Sequence, residues 1–530
     1  MKSIRTGIHD NLYLPIIGRR KFLIGAAALG FVQLENSNTA ATAPKKGGRL
    51  RIGCTGGSTN DTLDPGLILD VYMGQVSFGQ LRNCLTEIAA DGSLVPELAE
   101  SWEATPDAKT WTFKIRQGVE FHNGKTLDAA DVVASINHHR SADSKSTAKD
   151  IVKVITDIKV DGENGVVMNL DAGNADFPYL LSTPHLGICP AKPDGKIDWE
   201  SGTGTGGYVL ELFEPGKQTL TKRYANYWKE GRAHFDEVQT VFIADATART
   251  NALMAGEIDV INKADVKTLE FLKSDPNIQV LLGESNQHVA LPMISKLAPF
   301  DNNDVRLALK YSVNRQELLD KIFGGYGSLG NDHPIGGANR YRATAEEITQ
   351  RPYDPEKAKF HLKKAGLEKL DVQLSVADTA FAGAIDAGSL YSESAKAGGI
   401  NIEVVREAND GYWDNVWLKK PWCASFWAGR PTEDWIFTQV YSSGAAWNES
   451  HWENERFNAL LKQARSELVD AKRREMYVEM QRILNEEGSS VIPVFAPYIQ
   501  AASKKIALPD KLGNNFELDG NKCAERWSFA

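Results

Sequence analysis

Residues 201–212 read SGTGTGGYVLEL. Gly202, Gly204 and Gly207 satisfy the GxGxxG spacing of dinucleotide-binding enzymes, so this stretch decides between a cofactor fold and something else. Such a fingerprint works only between a buried strand and a helix whose N-terminus faces the pyrophosphate. Here the preceding Lys196-Ile197-Asp198-Trp199-Glu200 is a polar loop. The following YVLELFEPGKQTLTKR alternates as strand, turn at Pro215-Gly216 and strand, with no helix. The glycines therefore read as a tight backbone joint leading into a sheet, and no cofactor is expected.

Outward from that joint the chain alternates strands and helices. Strand patterns occupy 49–53, 110–116, two arms of a hairpin within 151–170, 207–213, 217–224, 238–243 and 256–261. Helices are expected from Thr126 or Asp128, over 246–255, 304–323 and 355–365, with strands at 371–376, 401–405 and 491–495. Between 456 and 486, Phe457, Leu460, Leu461, Ala464, Leu468, Met476, Met480 and Ile483 recur at helical spacing and predict a core-facing stripe. The 530 residues suffice for two or three domains, and 42% hydrophobic with 24% charged residues is an ordinary globular balance. A net charge of -9 argues against nucleic acid as a partner.

The N-terminus carries an export signal, expected over 1–41. Arg19-Arg20-Lys21 precedes the short apolar run Phe22–Val32, and small residues follow at Thr39-Ala40-Ala41. The paired arginines before Phe22-Leu23 resemble a twin-arginine signal, although Gly18 stands where Ser or Thr is usual. Cys54, Cys84, Cys189, Cys423 and Cys523 are too scattered for a zinc site. No metal and no catalytic residue is expected. GxSxG, HExxH and the P-loop GxxxxGK[ST] are all missing; His138-His139 point about 100° apart on a helix and read as solvated, and Asp128 with Asp131 reads as capping.

Several segments, in order, resemble the extracytoplasmic solute-binding proteins of peptide/nickel-type ABC importers. The strongest is LVPELAESWEATPDAKTWTFKIRQGVEFHNGKTLDAADVVASI (94–136). GTGGYVLELFEPGKQTLTKRYANYWKEG (204–231), ALMAGEIDVI (252–261), PFDNNDVRLALKYSVNRQELLDKIFGG (299–325) and YDPEKAKFHLKKAGL (353–367) follow. The resemblance implies an α/β, two-lobed periplasmic binding protein of type II, cluster C-like. One lobe would comprise 42–288 plus 491–530, with an inserted subdomain at about 80–203. The second would be 289–490, with a hinge at the crossings near 288 and 491. It also implies a monomer that is no enzyme. It would capture a peptide or peptide-like solute between the lobes and deliver it to membrane permease subunits, with the ATPase on other chains. Alternatives are an opine-like, sugar-phosphate or chelated-metal ligand, or a secreted enzyme on the same scaffold.

The resemblance also implies contacts. In peptide-binding members a Trp-x-x-Asp pattern pairs its aspartate with the peptide ammonium. Here Trp427-Ala428-Gly429-Arg430 puts an arginine at that position, which repels an ammonium. Three readings stay open: Asp434 or Glu433 supplies the missing charge, Arg430 binds an anionic ligand group, or Arg430 pairs with Glu433 or Asp434 and touches no ligand. Gly57 and Ser58 in the loop 55–60, and His333 in the loop 331–336, match segments where the lobes offer further contacts. Of the 12 tryptophans, Trp413, Trp417, Trp422, Trp427, Trp435, Trp447 and Trp452 cluster in one stretch, and one to three, Trp427 and Trp447 among them, are expected to line the cleft.

Overall fold

The computed structural model describes residues 44–68 and 70–530, so the segment 1–41, expected as an export signal, lies outside the described residues. The joint at 201–207 is where the architecture turns. Gly206 N donates to Leu81 O at 2.9 Å, and a Cβ on Gly206 would sit 2.2 Å from Gln80 O. A Cβ on Gly204 would sit 2.0 Å from Leu81 O. His122 rivets the same strip: its amide donates to Gly204 O at 2.9 Å and its Nε2 lies 3.0 Å from Gly206 O. Only backbone without side chains fits here, so Gly206→Ala is expected to cost about 3 kcal/mol, read as a lowered denaturation midpoint.

Beyond the joint, strand Tyr208–Glu214 forms the edge of a seven-stranded mixed sheet. Its order continues through Gln218–Arg223, Glu237–Phe242, Arg49–Cys54, Val260–Ile261 and Tyr498–Ser503 to Ile278–Gly283. Leu50, Ile52, Val238, Val260 and Tyr208 fill its core. The stretch 256–259, expected as strand, is turn instead, and pairing is confined to Val260–Ile261.

Before the joint, a four-stranded antiparallel sheet (Ala99–Ala104, Thr110–Ile115, Gly165–Leu170, Ile155–Asp161) has its own core. Trp111, Phe113 and Ile115 point inward at the expected period of two. Helix Ala129–Arg140 covers it, started by a reciprocal capping box: Asp128 accepts from Asp131 N, and Asp131 accepts from Asp128 N, both at 3.0 Å. His139 on this helix is not solvated. Its ring is fully buried against Ser146 Oγ at 2.8 Å, and His138 pairs with Asp64 at 2.9 Å. Burial pushes the His139 pKa down to about 3.

A third body holds strands Ser328–Leu329, Val494–Phe495, His288–Pro292 and Ser425–Trp427 in one sheet, beside the parallel pair Leu370–Val376 and Ile400–Arg406. Strand Ser490–Val491 also pairs with His288–Pro292. The crossing expected at 491 therefore falls later, at 496–497, because both short strands before it belong to this second sheet. The apolar stripe of 456–486 is split into Glu455–Ser466 and Asp470–Glu487, and Leu468 lies in the break, 43% exposed rather than in the core.

The two crossings, 284–287 and 496–497, run side by side. Tyr498 pairs with Gly283 on one side of them and Phe495 with His288 on the other. Ala496 N donates to Gln287 O at 2.8 Å and Ser285 Oγ donates to Ala496 O at 2.6 Å.

Candidate solute-binding cleft

A cavity of 670 Å3 opens where the three bodies meet at the crossings. The inserted subdomain contributes Trp102, Trp111 and Tyr179, the first crossing contributes Glu284 and Asn286, the strand after the second contributes Tyr498, and the second lobe contributes Arg340, Arg430 and Glu433. A smaller cavity of 280 Å3 shares Tyr498 and reaches Ala428, Gln287 and Asp70. Segment 428–430 thus separates two cavities, a setting for ligand of up to peptide size.

Arg430 extends along this segment. Its Nε donates to Gln439 Oε1 at 2.9 Å and its Nη1 to Ala428 O at 3.0 Å. The guanidinium carbon lies 5.7 Å from the ring centroids of both Trp427 and Trp435. Its own carbonyl accepts from Asn339 Nδ2 at 3.2 Å and Asn286 Nδ2 at 3.4 Å, which fixes the loop. Burial pushes the Arg430 pKa down.

The carboxylates near it are committed elsewhere. Asp434 accepts from Arg465 Nε at 3.1 Å. Glu433, 1% exposed, accepts from Tyr341 N at 2.6 Å, and burial raises its pKa while Arg340 opposes the rise. Arg340 is stacked over Tyr341 and Tyr179, 4.1 and 4.6 Å from their centroids, and reaches Asp176 at 3.2 Å.

The other residues expected at the cleft fare differently. Trp427 is buried beneath Arg430 with its Nε1 donating to Glu449 at 2.9 Å. Trp447 lies tilted against it, ring centroids 5.8 Å apart, and is half exposed, outside the large cavity's lining. The tryptophans that do line that cavity are Trp102 and Trp111, from the subdomain, so none of the seven clustered rings does. His333 is buried, and its neighbour Asp332 is held by Arg315 at 2.8 Å and Arg351 at 3.0 Å. That loop packs the second lobe. Ser58 spends its groups inside its own loop, N to Asp61 at 2.8 Å and Oγ from Asn60 N at 3.1 Å. Gly57 packs on Phe242, where a Cβ would approach to 2.7 Å. The cavity's Arg340, Tyr179 and Tyr498 carried no local sequence signal, since each reaches the site only through contacts between distant segments.

The subdomain and the second lobe also grip each other directly. Asp176, 1% exposed, receives Arg473 Nη1 at 2.7 Å as well as Arg340. Ala175 N donates to Arg465 O at 2.7 Å.

Two sheet-based lobes joined by paired crossings, with a cavity at the junction, define a two-lobed binding protein of type II. The chain belongs to the bacterial extracellular solute-binding proteins, family 5, whose middle-region model matches residues 93–449. It is 30% identical over 330 residues to heme-binding protein A of Haemophilus influenzae, covering 57% of this chain and 59% of that protein. It is 28% identical over 453 residues to di/tripeptide-binding protein 1 of Pseudomonas aeruginosa, covering 76% of this chain and 81% of that one. Among solved structures, HbpA2 from Haemophilus parasuis superposes with a TM-score of 0.79 at 20% identity, covering 91% of this chain and 100% of that one. The family and these relatives are binding proteins rather than enzymes. Among the described residues no helix is long and apolar enough to cross a membrane.

Proposed function

We propose that the chain is the solute-binding subunit of an ABC importer. It captures a peptide or peptide-like solute at the lobe junction, closes about the paired crossings and presents the closed form to membrane permease subunits. The observation that carries this reading is the cavity assembled from all three bodies at the crossings, where a bound solute touches both lobes and so favours their approach. It acts as a monomer, catalyses nothing and works outside the cytoplasm, in the periplasm, after export through the N-terminal signal. The name of the di/tripeptide-binding relative supports the solute class. Thermal unfolding against free di- and tripeptides tests it. Selective stabilisation that grows with ligand concentration is expected by mass action. Turnover of a bound compound, or no shift with any peptide, overturns it.

A further inference from the structure

We propose that Arg430 is an anion anchor: the cavity takes its solute by a carboxylate or phosphate group that pairs with this guanidinium. This rests on the solute-binding reading above and names the end of the solute that the site recognises.

The argument starts from what Arg430 lacks. Among the described residues its hydrogen-bond partners are all neutral: Gln439 Oε1 and the carbonyls of Ala428 and Gly429. Among the described residues Nη2 donates to no protein group. A half-buried guanidinium with no counter-charge is costly to hold, and proteins usually pair it. Nearby acids could have done so, yet Asp434 is bound to Arg465, Glu433 faces the Tyr341 amide at 2.6 Å, and Asp470 takes the Tyr341 hydroxyl at 2.6 Å. Arg340, the other arginine on the cavity wall, is already matched by Asp176 at 3.2 Å.

The second part is that Arg430 is held ready. Two tryptophan rings flank the guanidinium, Gln439 fixes Nε, and two asparagine amides clamp the residue's carbonyl. A side chain already ordered loses little entropy when it binds, and its planar fork suits a two-oxygen anion. Glu284 and Asp91 are exposed on the same cavity. A peptide with its carboxylate at Arg430 then has Glu284 on the same cavity to take its ammonium, since Asp91 already accepts from Ser93 N at 3.0 Å and Ser93 Oγ at 2.6 Å, near Lys511.

The test uses calorimetry and thermal unfolding with trialanine, its N-acetyl form, its C-terminal amide, and glycerol 3-phosphate as the phosphate arm. Trialanine and N-acetyl-trialanine are expected to bind and the amide to bind at least tenfold more weakly. Binding of glycerol 3-phosphate alone would assign the anchor to phosphate instead of carboxylate. Arg430→Gln is expected to weaken the anionic probe roughly 30-fold or more, and Arg430→Lys to recover part of that. The melting temperature of the ligand-free Arg430→Gln protein should stay level or rise, since an unpaired half-buried charge is removed. A structural arginine would lower it. If the amide binds as tightly as the acid, or Arg430→Gln leaves affinity unchanged, the anchor falls while the solute-binding reading stands. If none of the four probes binds, that reading fails for this solute class and the anchor falls with it.

Discussion

Lys229→Met is expected to destabilise the fold by about 3–5 kcal/mol at neutral pH, because it strips the shared cation from a buried acidic cluster. Lys229 Nζ lies 2.5 Å from Glu87, 2.6 Å from Glu97 and 3.1 Å from Glu525. These carboxylates come from the inserted subdomain and from the C-terminal helix Cys523–Arg526, so one ammonium ties three distant stretches together. Lys522 and Arg526 complete the balance, 3.3 Å from Glu525 and 2.6 Å from Glu87. Methionine keeps the volume and most of the stem packing, which isolates the charge.

The pH dependence tells this apart from a packing defect. Burial alone would raise the Glu525 and Glu87 carboxyls. Attraction to Lys229 and Lys522 outweighs it, holding Glu525 at about 2 and Glu87 well below the usual range. Their folded pKa values are depressed, so their contribution is present above the unfolded value of 4.5 and is lost as pH falls from there toward 2. In the variant the same carboxyls lose their strongest attraction and titrate higher. The stability gap between variant and parent should therefore narrow between pH 7 and pH 4, in urea midpoints taken at both. An equal gap at both values would mean that charge is not what Lys229 contributes.

Lys229 belongs to the segment YANYWKEG, legible in the sequence as a family mark but not as a charge centre. Local pattern carried most of the strands, the capping role of Asp128 with Asp131 and the glycine joint, since each is decided by neighbours within a few residues. Arg430 was legible too, as a charge of the wrong sign for an ammonium. What stayed hidden depended on distant pairing. The second crossing falls later than the expected 491 because Ser490–Val491 and Val494–Phe495 pair with His288–Pro292, about 200 positions away. The loop at 331–336 matches a segment where the resemblance implies a ligand contact, yet the charge of Asp332 is consumed inside the lobe by two arginines. The tryptophan cluster likewise answers to packing: Trp417 and Trp427 both donate to the buried Glu449, at 2.7 and 2.9 Å.

Asp176→Asn is expected to weaken solute affinity roughly 100-fold by unlatching the closed form. Asp176 sits on the subdomain, and both its arginine partners sit on the second lobe, Arg473 on helix Asp470–Glu487 with only 4% of its side chain exposed. Removing the carboxylate leaves that guanidinium unpaired in a dry interface, a penalty of about 3 kcal/mol or more. The protein can escape the penalty by letting the two bodies part, because Arg473 then regains water. Opening lowers the fraction of closed form, and apparent affinity falls by the same factor, which for 3 kcal/mol is roughly 100-fold. Arg340 links this latch to the cavity, since it lines the wall and contacts Asp176 at once. Three measurements separate a latch from a simple structural pair. Small-angle scattering of the ligand-free variant should give a larger radius of gyration, loss of affinity should show mainly in faster dissociation, and a double-mutant cycle between Asp176→Ala and Arg473→Ala should show coupling above about 1.5 kcal/mol in binding. A structural pair predicts the reverse pattern: a lowered melting temperature with unchanged radius and unchanged affinity. Closure in this fold would then be held by the solute alone, and Asp176 would be cement between subdomain and lobe.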